Sequence, residues 1–113
     1  MTQLLPSVSD DALTEIQAKE PTAFRITYRH PSTGEVFGDV VLRKPKRSEV
    51  HRFRDVAKRG GDTSFIVPAC LLAPDAATWA AVTEQELSGL PATVEDDLMK
   101  ASGVLAQGDL GKR

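Results

Sequence analysis

"FRITYRHPSTGEVFGDVVLRKPKRSEVHRFRDVAKRGG", residues 24–61, contains two different periodicities, and the change from one to the other decides the fold. From Ala23 the side chains alternate, with Phe24, Ile26 and Tyr28 on one face and Arg25, Thr27 and Arg29 on the other, the pattern of a half-buried strand. The segment His30-Pro-Ser-Thr-Gly-Glu35 supplies turn chemistry, since Gly34 takes positive φ without steric cost, and Val36–Arg43 returns as a second strand. In that strand Val36, Val40 and Leu42 share one face, while Phe37 and Val41 lie on the other among Glu35, Asp39 and Arg43. A lone hairpin is marginal in water, so the expectation is that Phe37 and Val41 meet further strands or another chain. After Pro45 the period becomes helical, with Val50, Phe53, Val56 and Ala57 as an inward stripe and Gly60-Gly61 as the stop.

Outward from this stretch, Ser9 is placed to cap a short helix with Asp10 and Asp11 in its first turn and Leu13 and Ile16 on one side, following a loose arm. Beyond Gly61, the run from Phe65 to Leu72 is apolar nearly all round. Pro68 within it predicts a late-starting or kinked helix in preference to a strand. Pro74-Asp75 begins another helix, with Ala76, Trp79, Ala80 and Val82 inward, and Thr93 caps a last one carrying Val94, Leu98, Ala101 and Leu105.

The expected fold class is α+β, an N-terminal β-hairpin packed against a C-terminal bundle of about four short helices. The expected organisation is one domain: an N-terminal arm and short helix over 1–21, the hairpin over 22–44, a helical region over 45–107 and a flexible tail over 108–113. A chain of 113 residues suits that reading, and its apolar fraction of 41% with a single Trp and a single Tyr predicts a mainly aliphatic core.

Charge is distributed unevenly. Between positions 43 and 59 stand Arg43, Lys44, Lys46, Arg47, Arg52, Arg54, Lys58 and Arg59 against Glu49 and Asp55, a net of +6 within a chain whose formal charge is −2. Such asymmetry favours oriented association with a partner of complementary field. Nucleic-acid binding by this segment calls for stacking aromatics or a helix-turn-helix spacing and a basic overall balance; Phe53 belongs to the apolar stripe and the chain is acidic, so docking to protein is favoured.

Chemistry is sparse. His30 and His51 have no Cys, His or Asp spacing suited to a metal or a catalytic site, and Cys70 lies in an apolar run as a small buried hydrophobe. Gly60-Gly61 lacks the Lys-Ser/Thr of a phosphate loop, and Glu95-Asp96-Asp97 is the acidic first turn of a helix. The expectation is therefore no catalysis, no cofactor and no metal. The N-terminal residues show no basic region followed by an apolar run, and no apolar segment is long enough to span a bilayer, so a soluble intracellular chain without membrane contact is expected.

The order of parts, with a hairpin ending in "LRKPKRSEVHRFRD", then "LAPDAATWAAV" and "LPATVEDDLMKASG", resembles over residues 22–105 the small tail assembly chaperones of long-tailed bacteriophages. Arg43 to Pro45, Phe53 and Pro74-Asp75 occupy the places of the family's basic-Pro strand end, helix aromatic and Pro-Asp restart, whereas Lys46 stands where a Ser or Thr cap is expected. The resemblance implies a non-enzymatic chaperone that coats the tape measure protein and recruits major tail tube protein, acts in the host bacterial cytoplasm and is left out of the mature virion. Leu110-Gly111-Lys112 permits the slippery codons of a ribosomal frameshift, by which many such chaperones gain a longer form. The partner-binding residues expected are Arg43, Lys44, Lys46, Arg47, Arg52, Arg54, Lys58, Arg59, Phe37 and Val41, facing the tape measure or tube protein or a neighbouring copy of the chain. The alternatives from other classes are a small nucleic-acid-binding regulator using residues 46–59, and a structural tail or head-completion subunit.

Overall fold

The computed structural model describes residues 4–85 and 87–101. It is a mixed α+β protein, with a three-stranded antiparallel sheet and five helices among those residues. Two compact units interleave along the chain: Met1–Arg43 with Leu71–Ser88, and Lys44–Cys70 with Gly89–Arg113.

The first unit carries the sheet. Helix α1 (Asp10–Lys19) starts where Ser9 Oγ accepts the Ala12 amide at 3.1 Å, with Asp10 and Asp11 in the first turn as the charge pattern predicts. Strands β1 (Phe24–Arg29) and β2 (Val36–Leu42) pair antiparallel around the expected turn, in which Gly34 takes φ +75°. The register shifts between Tyr28 and Arg29, which pair with Gly38 and Val36, so Phe37 is the extra residue of a β-bulge.

The hairpin is not left with a bare outer edge. A third strand, β3 (Leu71–Ala73), pairs with Val41 and Leu42, on the side of β2 away from β1. Along the other half of that edge the Leu5 amide donates to the Phe37 carbonyl at 2.8 Å and the Asp39 amide to the Pro6 carbonyl at 3.2 Å. The arm expected to be loose is therefore held along its described part, and Leu5 is only 1% exposed. Gly38 permits this approach: at φ +130° it adopts a backbone open to few other residues, and a Cβ there would overlap the Leu5 carbonyl and lie 2.6 Å from the Leu5 Cβ.

Further expectations fail here. Val41, expected on an exposed face, is completely buried. It shares its face with Asp39, whose carboxylate accepts the Val8 amide (2.7 Å) and the Thr27 hydroxyl (2.6 Å), and it pairs with Arg25, which donates to the Val8 carbonyl (2.6 Å) and binds Asp10 (2.7 Å). These side chains hold the arm across the face that alternation alone leaves to solvent. The region 45–107 is also not wholly helical, because Leu71–Ala73 extends as a strand that satisfies the free edge of β2. Helix α4 (Ala76–Gln85) completes this unit, with Trp79 its buried residue; Ala76 and Ala80, expected inward, are exposed.

The second unit is helical. Helix α2 (Arg47–Lys58) begins without a Ser or Thr: the Glu49 carboxylate accepts the Lys46 amide at 2.7 Å, one half of a capping box. It ends in a Schellman motif, the Gly60 amide bonding the Ala57 carbonyl (3.1 Å) and the Gly61 amide the Val56 carbonyl (2.9 Å), with Gly60 at φ +71°. Helix α3 (Ile66–Cys70) places Pro68 in its first turn, where the missing amide costs no helical bond, so it starts late as expected. Helix α5 (Leu90–Ala101) begins earlier than a Thr93 cap would allow, because Pro91 also fits a first turn. The core of the unit comprises Ile66, Val67 and Cys70 of α3 with Leu90, Val94, Leu98 and Met99 of α5, and these two helices pack together. Leu105 and the tail 108–113, including Leu110-Gly111-Lys112, lie outside the described residues.

Candidate functional site

Helix α2 buries no residue fully. Val50, Phe53 and Val56 of its expected inward stripe are half-buried and Ala57 is exposed. A short helix with such a shallow apolar contact presents most of its circumference to solvent, and that circumference is where its cations stand.

Lys44, Lys46, Arg47, Arg52, Arg54, Lys58 and Arg59 are all exposed and belong to the helical unit. They differ in what they already hold. Arg59 forms an i, i+4 ion pair with Asp55 at 3.0 Å, and the Arg52 guanidinium lies 4.1 Å from the centroid of the Phe65 ring, a cation–π contact over a side chain expected within the core run. Arg47, Arg54 and Lys58 make no ion pair among the described residues. At about 100° per residue these three fall in one sector about 60° wide together with His51, which is exposed and stands between them. The spacing i, i+4, i+7, i+11 of Arg47, His51, Arg54 and Lys58 is the signal that marks this stripe, and it also brings in His51, a residue the charge count overlooks.

The remaining expected site residues fall elsewhere. Arg43 and Phe37 are half-buried and Val41 fully buried, all three in the sheet-bearing unit. Phe37 meets the ring of His30 edge-on at a centroid distance of 5.7 Å, and His30 Nδ1 accepts the Ser32 amide at 3.1 Å, so that histidine braces the turn.

Beside α2 lies an open groove of about 500 Å³, lined by Phe53 and by Ala92, Thr93, Glu95, Asp96 and Met99 of α5. Met99 is its buried base, while Ala92, Thr93 and Asp96 are exposed. Its carboxylates are already engaged: Glu95 accepts the Thr63 hydroxyl at 3.0 Å, and Asp96 pairs with Lys100 at 3.5 Å. Among the described residues no group of three or more His, Cys, Asp or Glu is disposed to hold a metal, and no helix is long and apolar enough to cross a membrane. Cys70 is a buried cysteine outside any disulfide among the described residues.

No family model, curated protein or solved structure matches the chain.

Proposed function

We propose that this protein is a non-enzymatic assembly chaperone of a long-tailed bacteriophage, which binds the tape measure protein and helps recruit major tail tube protein in the host bacterial cytoplasm. The observation that supports it is the stripe of Arg47, Arg54 and Lys58, exposed and without ion pairs among the described residues, on a helix whose apolar side is only half-covered. A chaperone has to bind and let go. Exposed cations accelerate encounter and contribute modest affinity, while a small apolar contact beside them supplies the remainder without making the complex permanent.

The test is co-expression with the tape measure protein of a long-tailed phage that encodes this chain. The wild-type chain should raise the soluble fraction of that protein, and the triple reversal Arg47→Glu, Arg54→Glu, Lys58→Glu should remove the effect while the chain itself stays folded, since surface substitutions usually cost within about 0.5 kcal/mol each. A wild-type chain that leaves tape measure solubility unchanged would sink the reading. Recovery of the protein from purified virions would favour the structural-subunit alternative instead.

A further inference from the structure

The groove between α2 and α5 and the cationic stripe are neighbours on one helix. Going round α2 from the sector of Arg47, His51, Arg54 and Lys58, the next positions are those of Val50 and exposed Ala57, and after them Phe53, which forms the groove wall. An occupant is therefore offered three things side by side: cations along about 16 Å of helix, a narrow apolar strip, and a recess with Phe53, Ala92 and Met99 in its lining. We propose that this groove seats an acidic amphipathic helix of a partner protein, its apolar stripe in the recess and its carboxylates along Arg47, Arg54 and Lys58. The inference rests on the protein-binding reading above and names the chemistry of the partner.

Charge complementarity chooses the occupant. At the groove Asp96 is paired with Lys100 and Glu95 keeps its charge while accepting the Thr63 hydroxyl, so the positive charge to be answered is that of the stripe along α2, and the carboxylates of an occupant belong on that side. A helix repeats its side chains at i, i+3, i+4 and i+7, the spacing that Arg47, His51, Arg54 and Lys58 present, so two helices laid alongside can keep their charges in step over three turns. A small anion has no concave cradle here, because the cations are strung along an exposed helix. A duplex would meet the cations but leave the apolar recess unfilled.

The test is fluorescence anisotropy with a labelled peptide of about 15 residues, leucine at i, i+4 and i+7 and glutamate on the flanks, run against the full chain. Its companions are the same peptide with lysine for glutamate, and a random DNA duplex. The wild-type chain should bind the acidic peptide and not the basic one. Arg54→Glu, at the stripe, and Ala92→Glu, which sets a carboxylate in the recess, should each weaken binding on the order of tenfold or more. Circular dichroism checks that both fold, and Arg47→Glu and Thr93→Glu stand in for either that does not. Absence of binding to the acidic peptide, binding that survives both groove substitutions, or tighter binding to duplex DNA would each overturn the proposal. The chaperone reading fails separately: tape measure solubility rescued by chains carrying Ala92→Glu and Arg54→Glu leaves that reading standing and removes this one, whereas peptide binding without any rescue by the wild type does the reverse.

Discussion

Gly38 shows how much one residue position decides in this protein. With φ at +130° and Leu5 filling the space that a β-carbon would take, it is the point at which the arm can lie on β2. Gly38→Ala adds both a strained backbone and an overlap with backbone atoms that have no room to give, so a loss of about 2 to 3 kcal/mol is expected, read as a lower midpoint in urea unfolding. Faster exchange of the Leu5 and Asp39 amides should accompany it, because those are the bonds the displaced arm gives up. Asp39 and Arg25 complete the clamp from side chains that alternation assigns to solvent. Phe53 also changes weight at this scale: it is a half-buried groove wall, so Phe53→Ala should cost less than the roughly 3 kcal/mol of a fully buried ring and remains usable as a binding probe. Arg52, by contrast, is a poorer probe than Arg54, since reversing it also removes its contact with Phe65.

The elements form where their caps and breakers allow, and most of those signals are local. Ser9, Gly34 and Gly60-Gly61 act where the sequence places them, because each works through bonds to residues within a few positions. Helix α4 offers a test of the same kind. Asp75 accepts the Thr78 amide at 2.8 Å, and the bonds from the Thr78 side chain and backbone hold its carboxyl below the ordinary value of 3.8. A carboxyl lowered in the folded state lends stability that is complete above that ordinary value and is lost as the pH falls through the lowered one. Asp75→Ala should therefore melt at a lower temperature than the wild type at pH 6, and the two melting temperatures should converge in strong acid. A difference independent of pH would show that the charged cap is not the cause. The strand β3 carries no comparable local mark: Leu71–Ala73 is apolar and follows directly on α3, and it becomes a strand because β2 has an edge to satisfy.

At the scale of the whole molecule the charge asymmetry has kinetic consequences. Residues 43–59 carry +6 in a chain whose sum is −2, so association with an acidic partner should be steered. Measured by stopped flow, the association rate should fall by roughly tenfold or more between low and high salt, with dissociation changing far less, and the triple reversal at Arg47, Arg54 and Lys58 should remove that dependence. Salt-independent association would refute the role of the stripe. What the sequence determined by itself was whatever depends on neighbours along the chain: the hairpin, the helix ends, the buried Cys70 and the cationic helix with its stripe spacing. What only the tertiary structure decided was which faces stay open. Val41 disappears because Val8 reaches Asp39 across 31 positions, β3 exists because a distant strand lacks a partner, and the groove at Phe53 is bounded by α5, whose Glu95 is tied to Thr63 across 32 positions. Periodicity reports which side chains share a face, but burial is set by whatever chain arrives to cover that face, and contacts of such separation leave no trace in the spacing of residues nearby.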